Sequence, residues 1–365
     1  MTDFGALEAK AKADPEFKKS LMAQARLMRE NSSVPLVAIT GSNGKTGTKE
    51  LARFTFGGRG LYTVDNHNTK TALAWLVAHD LARSQFAVLE VGASKPGDIG
   101  VAVSMLQPDI GVLLNVGRAH LGSFGSKEKL FTEKVRIFEN PRTQSWIANG
   151  DDPRLRSFLK KKDKIVWIGS SNLNDVSVQW KDDRLYCRVY GQEKAVSPLT
   201  QSPGFEQHAA AVLAMGLELG FALDLLLEGI QGFPGTSRRF QLHRTAKGFI
   251  VDDAFNASPE SVVAGLAQFR KLISPDQEQW TCIVLGSMLE FGEASSSEHR
   301  RLGTIVRELF PRAKFLSVGE QAKDFLADEW FAQASEVRIP EQSRYIYLKA
   351  SKAIGLGALL GVLIG

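Results

Sequence analysis

The sequence is poor in cysteine, with only Cys187 and Cys282 in 365 residues. Neither belongs to a CxxC or CxxH pair, which argues against a disulfide framework or a zinc site and fits a reduced, cytoplasmic compartment. A secretory signal is not expected, because MTDFGALEAKAKADPEFKKS carries acidic residues and no apolar core. The closing stretch AIGLGALLGVLIG is apolar but only 13 residues long. It is too short to span a bilayer and reads as a packed terminal helix, so no stable membrane insertion is expected. A long Lys/Arg run with interleaved aromatics is missing, which argues against nucleic acid as a partner. Internal repeats and low-complexity tracts are missing as well.

What remains is the composition of an ordinary globular protein, 44% apolar and 23% charged. The length favours two domains. A formal net charge of +5 suits a protein that handles polyanions such as nucleotides.

Residues 4–30 read as a helix interrupted near Pro15. LVAIT (36–40) reads as a buried strand, followed at once by a glycine turn and a helix beginning near Lys45. FAVLEVG (86–92) and DIGVLLNVG (109–117) are near-continuous apolar runs, as expected of strands covered on both faces. Helical stretches such as TALAWLVAHDLA lie between them, and this alternation predicts an α/β fold with a mostly parallel sheet. From 164 to 198 shorter alternating strands take over, followed by the helical HAAAVLAMGLELG and LDLLLEGIQGF. FPGTS at 233–237 reads as a linker. A second α/β unit then runs through GFIVDDAF, CIVLGSM, FLSVGE and YIYLKAS.

The sharpest chemical signal is ITGSNGKTGTKE. It places Gly41, Ser42, Asn43, Gly44, Lys45 and Thr46 between a strand and a helix. Backbone N–H groups in such a loop point at phosphates, and the helix N-terminus adds positive potential. A lysine at this spot reaches the terminal phosphates, and the Thr46 hydroxyl can ligate Mg2+. The match to GxxxxGK[ST] is imperfect, since Ile39 occupies the first glycine position. Glu90 ends the second strong strand and His120 follows the third. Both lie where open α/β sheets place their chemistry. One carboxylate and one imidazole there could hold a divalent cation beside the glycine loop. Lys134, in FTEKVRIFEN, reads by local pattern as an ordinary surface lysine. Asp252 and Asp253 open DDAFNASPES. They could reach a ribose or a cation, or form a polar turn before a helix capped by Ser258 with Pro259 at its first position.

Taken together, these segments resemble the Mur ligases of peptidoglycan synthesis, most of all the branch that adds D-alanyl-D-alanine to UDP-N-acetylmuramoyl-tripeptide. The resemblance runs from about residue 34 to 357. It is carried by TGSNGKT (40–46), TVDNHN (63–68), EVGASKPGDI (90–99), PDIGVLLNVGRAHLGSFGS (108–126), EKVRIF (133–138), NGDDP (149–153), RRFQ (238–241), DDAFNASPES (252–261), LGSMLEFGEASSSEH (285–299) and LKAS (348–351). It implies an N-terminal helical segment at 1–33, a central P-loop ATPase domain at 34–233 and a C-terminal Rossmann-like α/β domain at 234–365. It also implies an ATP-dependent ligase that phosphorylates a carboxylate and joins the acyl phosphate to an amine. On this resemblance Lys45 holds the γ-phosphate, Thr46 and Glu90 bind Mg2+, and His120 binds a second Mg2+. Lys134 matches a lysine carbamoylated by CO2, a further metal-binding group. Asn115 lines the nucleotide site, while Arg239, Asp252 and Asn256 reach ATP from the C-terminal domain.

This sequence departs from the family pattern at several places. About 33 residues precede the glycine-loop strand where a UDP-binding domain is usual, which leaves room for a partner protein in its place. Glu206, Gln207 and Ala210 replace a usual His, Asn and Asn. Ser287 stands where an aspartate is usual, Ser258 where a second asparagine is usual, and Lys349-Ala350-Ser351-Lys352 takes the place of KGSR. The expected substrates are a nucleotide-sugar peptide and an amine such as D-alanyl-D-alanine. The alternatives are a ligase of the same fold that joins another carboxylate and amine without a UDP sugar, and a non-catalytic ATP-binding homologue.

Overall fold

Leu36, Val37, Ala38 and Ile39 are apolar at four successive positions and all are fully buried. A strand apolar on both faces needs covering on both, and the sheet around it is built that way. The computed structural model describes residues 2–117, 121–160, 162, 164–289 and 294–364. The chain divides into two compact units, with the change falling between Pro234 and Gly235 apart from the short stretches 118–125 and Gln201–Gly204, which group with the second.

The first unit opens with two helices, α1 (Phe4–Ala13) and α2 (Pro15–Glu30), separated at Asp14, which caps α2 ahead of Pro15. Its strands are β1 (Leu36–Thr40), β2 (Gly60–Tyr62), β3 (Phe86–Glu90), β4 (Ile110–Leu113), β5 (Ser145–Asn149), β6 (Ile165–Gly169), β7 (Val176–Lys181), β8 (Arg184–Val189) and β9 (Gln192–Val196). They form one sheet in the order β2-β3-β1-β4-β5-β6-β7-β8-β9. Pairing is parallel from β2 through to β7, and β8 and β9 extend the sheet antiparallel. Between the strands run α3 (Lys45–Phe56), α4 (Lys70–Asp80), α5 (Asp98–Leu106), α7 (Lys127–Val135) and α8 (Pro153–Leu159), while the single turn α6 (Leu121–Phe124) groups with the second unit. After the sheet come α9 (Phe205–Glu218) and α10 (Leu223–Gly232). Helix α9 explains the run AAAVLAM: Ala209 to Met215 are all fully buried against the sheet.

The strand β1 pairs with β3 on one side and β4 on the other. Connections therefore leave it in opposite directions, and the crevice at the carboxyl ends of β1, β3 and β4 is where such sheets bind ligands.

The second unit has a six-stranded sheet of β10 (Gln241–Thr245), β11 (Gly248–Asp252), β12 (Thr281–Gly286), β13 (Lys314–Val318), β14 (Glu329–Phe331) and β15 (Tyr345–Lys349). Their order is β10-β11-β15-β12-β13-β14, all parallel except the edge hairpin β10–β11. It carries α11 (Pro259–Leu272), α12 (Ser295–Leu309) and α13 (Ala358–Ile364). The mixed α/β class with mostly parallel sheets is thus as expected. The closing apolar stretch forms the short helix α13, with Leu356 and Leu359 buried. Among the described residues no helix is long and apolar enough to cross a membrane.

Candidate functional site

The glycine turn leaves β1 at Thr40, and α3 begins at Lys45. Gly44 is the N-cap of α3 and sits at φ +88°, a left-handed conformation that suits glycine. It brings no side chain to cap the helix, so the first-turn N–H groups have no cap hydrogen bond from that position, the arrangement that receives an anion. The turn itself is held by Asn115 at the end of β4. Its Oδ1 accepts the Asn43 N–H at 2.9 Å, its Nδ2 donates to the Asn43 carbonyl at 3.0 Å, and its carbonyl accepts the Ser42 N–H at 3.0 Å. The Lys45 ammonium folds back over the turn, 2.9 Å from the Gly41 carbonyl.

Glu90 closes β3 and is only 2% exposed. Its two oxygens are divided between two partners: Oε2 accepts the Thr46 hydroxyl at 2.9 Å, and Oε1 accepts the Asn68 amide at 2.8 Å. A carboxylate and a hydroxyl therefore meet at the mouth of the glycine turn. Magnesium uses one or two carboxylates and completes its octahedron with waters and phosphate oxygens, so these donors fit it. Among the described residues no group of three or more His, Cys, Asp or Glu side chains gathers. His120, expected here as a second metal ligand, lies outside the described residues.

The local-pattern reading of Lys134 as a surface residue is corrected: it is 1% exposed, with its ammonium 3.4 Å from the Thr40 hydroxyl. Its neighbour Glu133 explains the burial. That carboxylate accepts the N–H groups of Gly97 at 2.8 Å and Ile99 at 2.6 Å, fastening α7 to the start of α5. Burial, helped by the nearby Lys45 charge, pushes the Lys134 ammonium down to about 7, against the opposing pull of Glu133, Glu90 and Asp98. Near neutral pH a substantial share of this amine is therefore uncharged.

The glycine turn, Glu90, Asn115 and Lys134 thus come together at the carboxyl ends of β1, β3 and β4. Two contributors went unread in the sequence, Asn68 and Lys49, and a third, Gln207, was noted only as a departure from the family pattern. Asn68 holds Glu90. Gln207 accepts from Asn115 Nδ2 at 3.0 Å and donates to the Leu114 carbonyl at 2.8 Å. Lys49, fully buried one turn beyond Lys45, donates to the carbonyls of Thr63 and Asp65 at 2.9 and 2.7 Å. The spacing of Lys49 from Lys45 on one helix was the available signal for the last.

In the second unit the two adjacent aspartates separate in role. Asp252 is fully buried, accepts the Ala254 N–H at 3.0 Å and faces the Arg238 guanidinium at 3.5 Å. Asp253 takes the Lys349 ammonium at 2.7 Å and the Tyr347 hydroxyl at 2.9 Å. Arg239 stacks on Phe255, 4.2 Å from the ring centre, and Asn256 is exposed. Ser258 does cap α11, in a reciprocal box with Ser261, and Pro259 starts the helix.

Residues 39–205 match the Mur ligase middle domain. The chain is 29% identical over 291 residues to the UDP-N-acetylmuramoyl-tripeptide–D-alanyl-D-alanine ligase of Mycobacterium tuberculosis, covering 75% of this chain and 56% of that one. Against the ligase of the same name from Bacillus subtilis it is 28% identical over 294 residues, covering 79% and 63%. The chain thus spans just over half the length of the mycobacterial relative. Among solved structures, MurF from Acinetobacter baumannii superposes with a TM-score of 0.84 at 25% identity, covering 95% of this chain and 80% of that one. The MurF ligase from Thermotoga maritima, in complex with ADP, gives 0.81 at 24% identity, covering 94% and 82%.

Proposed function

We propose, from the match of residues 39–205 to the Mur ligase middle domain, that this chain is an ATP-dependent ligase forming an amide bond through an acyl phosphate. The observation that carries the reading is the Thr46–Glu90 hydrogen bond at the mouth of the glycine turn, beside a buried lysine of lowered basicity.

ATP supplies the phosphoryl group, and magnesium supplies positive charge to its oxygens. The N–H groups of the turn orient the phosphates. Lys45 balances the charge that develops on the transferred group, and Thr46 and Glu90 hold the metal. A substrate carboxylate oxygen bonds to the γ-phosphorus as the bond to ADP breaks. The amine then attacks the acyl carbon and phosphate leaves, with the amine's extra proton released. The uncharged form of Lys134 would add to CO2 with loss of a proton and become a carbamate. A cation is thereby replaced by an anion able to join Glu90 and His120 around magnesium. Asn115 lines the nucleotide site, and Arg239, Asp252 and Asn256 are further nucleotide-binding residues in this reading.

The substrates we propose are a UDP-N-acetylmuramoyl-tripeptide-like acid and D-alanyl-D-alanine, in peptidoglycan precursor synthesis in the cytoplasm. The names of the relatives support that choice. The domain assignment we propose is a helical segment at 1–33, an ATPase domain at 34–233 and a C-terminal domain at 234–365. The test is phosphate release from MgATP with both substrates, and with each left out in turn. Release that needs both supports the reading. A protein that does not bind MgATP, or that hydrolyses it regardless of acid and amine, refutes it.

A further inference from the structure

Asn68 is the residue that fixes the Glu90 carboxylate from the side opposite Thr46. It lies in the segment Thr63–Thr69, which is tied to the sheet at several points. The Thr63 hydroxyl accepts the Glu90 N–H at 2.7 Å, Lys49 holds the carbonyls of Thr63 and Asp65, and the Asn68 carbonyl accepts the Gly92 N–H at 3.3 Å. Glycine at 92 suits this approach, since a Cβ there would stand 2.5 Å from Asn68 Oδ1 and the amide would have to shift.

The two sequence neighbours of Asn68 are both held by helix α1. Phe4, 6% exposed, stacks on His67 with ring centres 4.9 Å apart and planes inclined by 23°. The Thr69 hydroxyl, which also caps α4, donates to the Glu8 carboxylate. Leu7 and Ala11 bury the same helix against the unit. Phe4 and Glu8 lie one turn apart on one face of α1 and grip the residues on either side of the asparagine.

We infer that helix α1 is a positioning element of the phosphoryl-transfer site: Phe4 and Glu8 clamp His67 and Thr69, the clamp fixes Asn68, and Asn68 fixes the Glu90 carboxylate. The inference rests on the proposed role of Glu90 as a magnesium ligand. Groups that orient metal ligands influence affinity through geometry alone, and their loss typically weakens metal binding by roughly 10- to 100-fold. α1 acts one contact further out, so releasing it should have an effect at or below the lower end of that range.

The test is an equilibrium titration of magnesium into the full chain with a fluorescent ATP analogue, read as the magnesium midpoint and as nucleotide affinity in EDTA. Asn68→Ala should raise the midpoint about tenfold, and the pair Phe4→Ala with Glu8→Gln by a few-fold. Affinity in EDTA, set by the turn and Lys45, should stay at the wild-type value. His67→Phe, which keeps a ring for Phe4 to stack on, should keep the wild-type midpoint. A merely structural α1 would lower the melting temperature and leave the magnesium midpoint alone, and that result overturns the inference. If the double variant does not fold, Glu8→Gln alone decides by the same midpoint. Wild-type protein that binds no Mg-nucleotide removes the functional reading itself. Equal midpoints in nucleotide-binding proteins remove only the role of α1.

Discussion

Asn115 grips both edges of the Asn43 peptide, accepting its N–H at 2.9 Å and donating to its carbonyl at 3.0 Å. One side chain two residues beyond β4 thus sets the plane of a peptide in the middle of the glycine turn. Asn115→Leu keeps the volume and removes both bonds, leaving polar groups unsatisfied at about 1–3 kcal/mol. The turn should lose its shape before the fold does. ATP affinity measured by calorimetry should fall roughly 10- to 100-fold on that free-energy difference, with melting nearly unchanged.

Lys45 and Lys134 should respond differently to removal. Lys45→Ala takes away the cation over the transferred phosphoryl, and turnover should fall at least 100-fold, as when one transition-state donor is lost. Near-normal phosphate release would refute its assignment. Lys134→Ala should be inactive as well, yet partly rescued by a small carboxylate such as acetate, which stands in for the carbamate. Labelled bicarbonate gives an independent check by carbon NMR: a carbamate signal is expected in the wild type and should vanish in Lys134→Ala. Unchanged activity in that variant would rule the role out.

The glycine turn was legible because strand, turn and helix follow one another within a dozen residues, and each obeys a local rule. Glu90 was legible as a strand end on an apolar run. Lys134 was not, because its burial depends on Glu133 reaching the start of α5, a contact between segments 34 residues apart. The bonds from Gln207 to Asn115 and from Asn68 to Glu90 are equally invisible to local pattern, since they join residues 92 and 22 positions apart. β2, β9, β10 and β14 escaped notice for another reason. β2 and β14 have three residues each, and β10 lies at a sheet edge with mostly exposed or half-buried side chains, so no apolar run marks them; β9 fell within the 164–198 stretch of short strands but was not picked out by itself.

Asp98 gives the fold a dependence on acid. Burial alone would raise its carboxyl, but the hydrogen bonds from Lys70, Ser94 and Lys95 outweigh it and bring the group to about 2. A folded value below the unfolded one of about 3.9 means the stabilisation is complete above roughly pH 4 and is lost as pH falls toward 2. Asp98→Asn should therefore lose about 1–2 kcal/mol at pH 7, a figure reduced for solvent screening of the Lys70 pair. Urea denaturation at a series of pH values should show wild type and variant converging between about pH 4 and 2.

His208 and Gly47 are matched in shape. A Cβ on Gly47 would stand 2.5 Å from Cε1 and 2.9 Å from Nδ1 of the His208 ring. Gly47→Ala should destabilise by about 1–3 kcal/mol through overpacking, despite the better helix propensity of alanine. His208→Ala in the same chain should recover most of that loss. A double-mutant cycle with no coupling would show that the ring swings away freely.

The buried pair in the second unit offers a sharper contrast. Asp253 is held by Lys349 and by the Tyr347 hydroxyl, and burial together with the Asp253 charge raises the Tyr347 phenol well above its ordinary value. Lys349→Met removes the cation paired with Asp253 and leaves a carboxylate to be neutralised in a water-poor interior, at about 3–5 kcal/mol. Asp253→Asn with Lys349→Met removes both charges and keeps an acceptor for Tyr347, so the double variant should be more stable than Lys349→Met alone. Thermal melts of the two chains decide it. A double variant less stable than the single one would mean that Asp253 acts through hydrogen-bond geometry rather than through its charge.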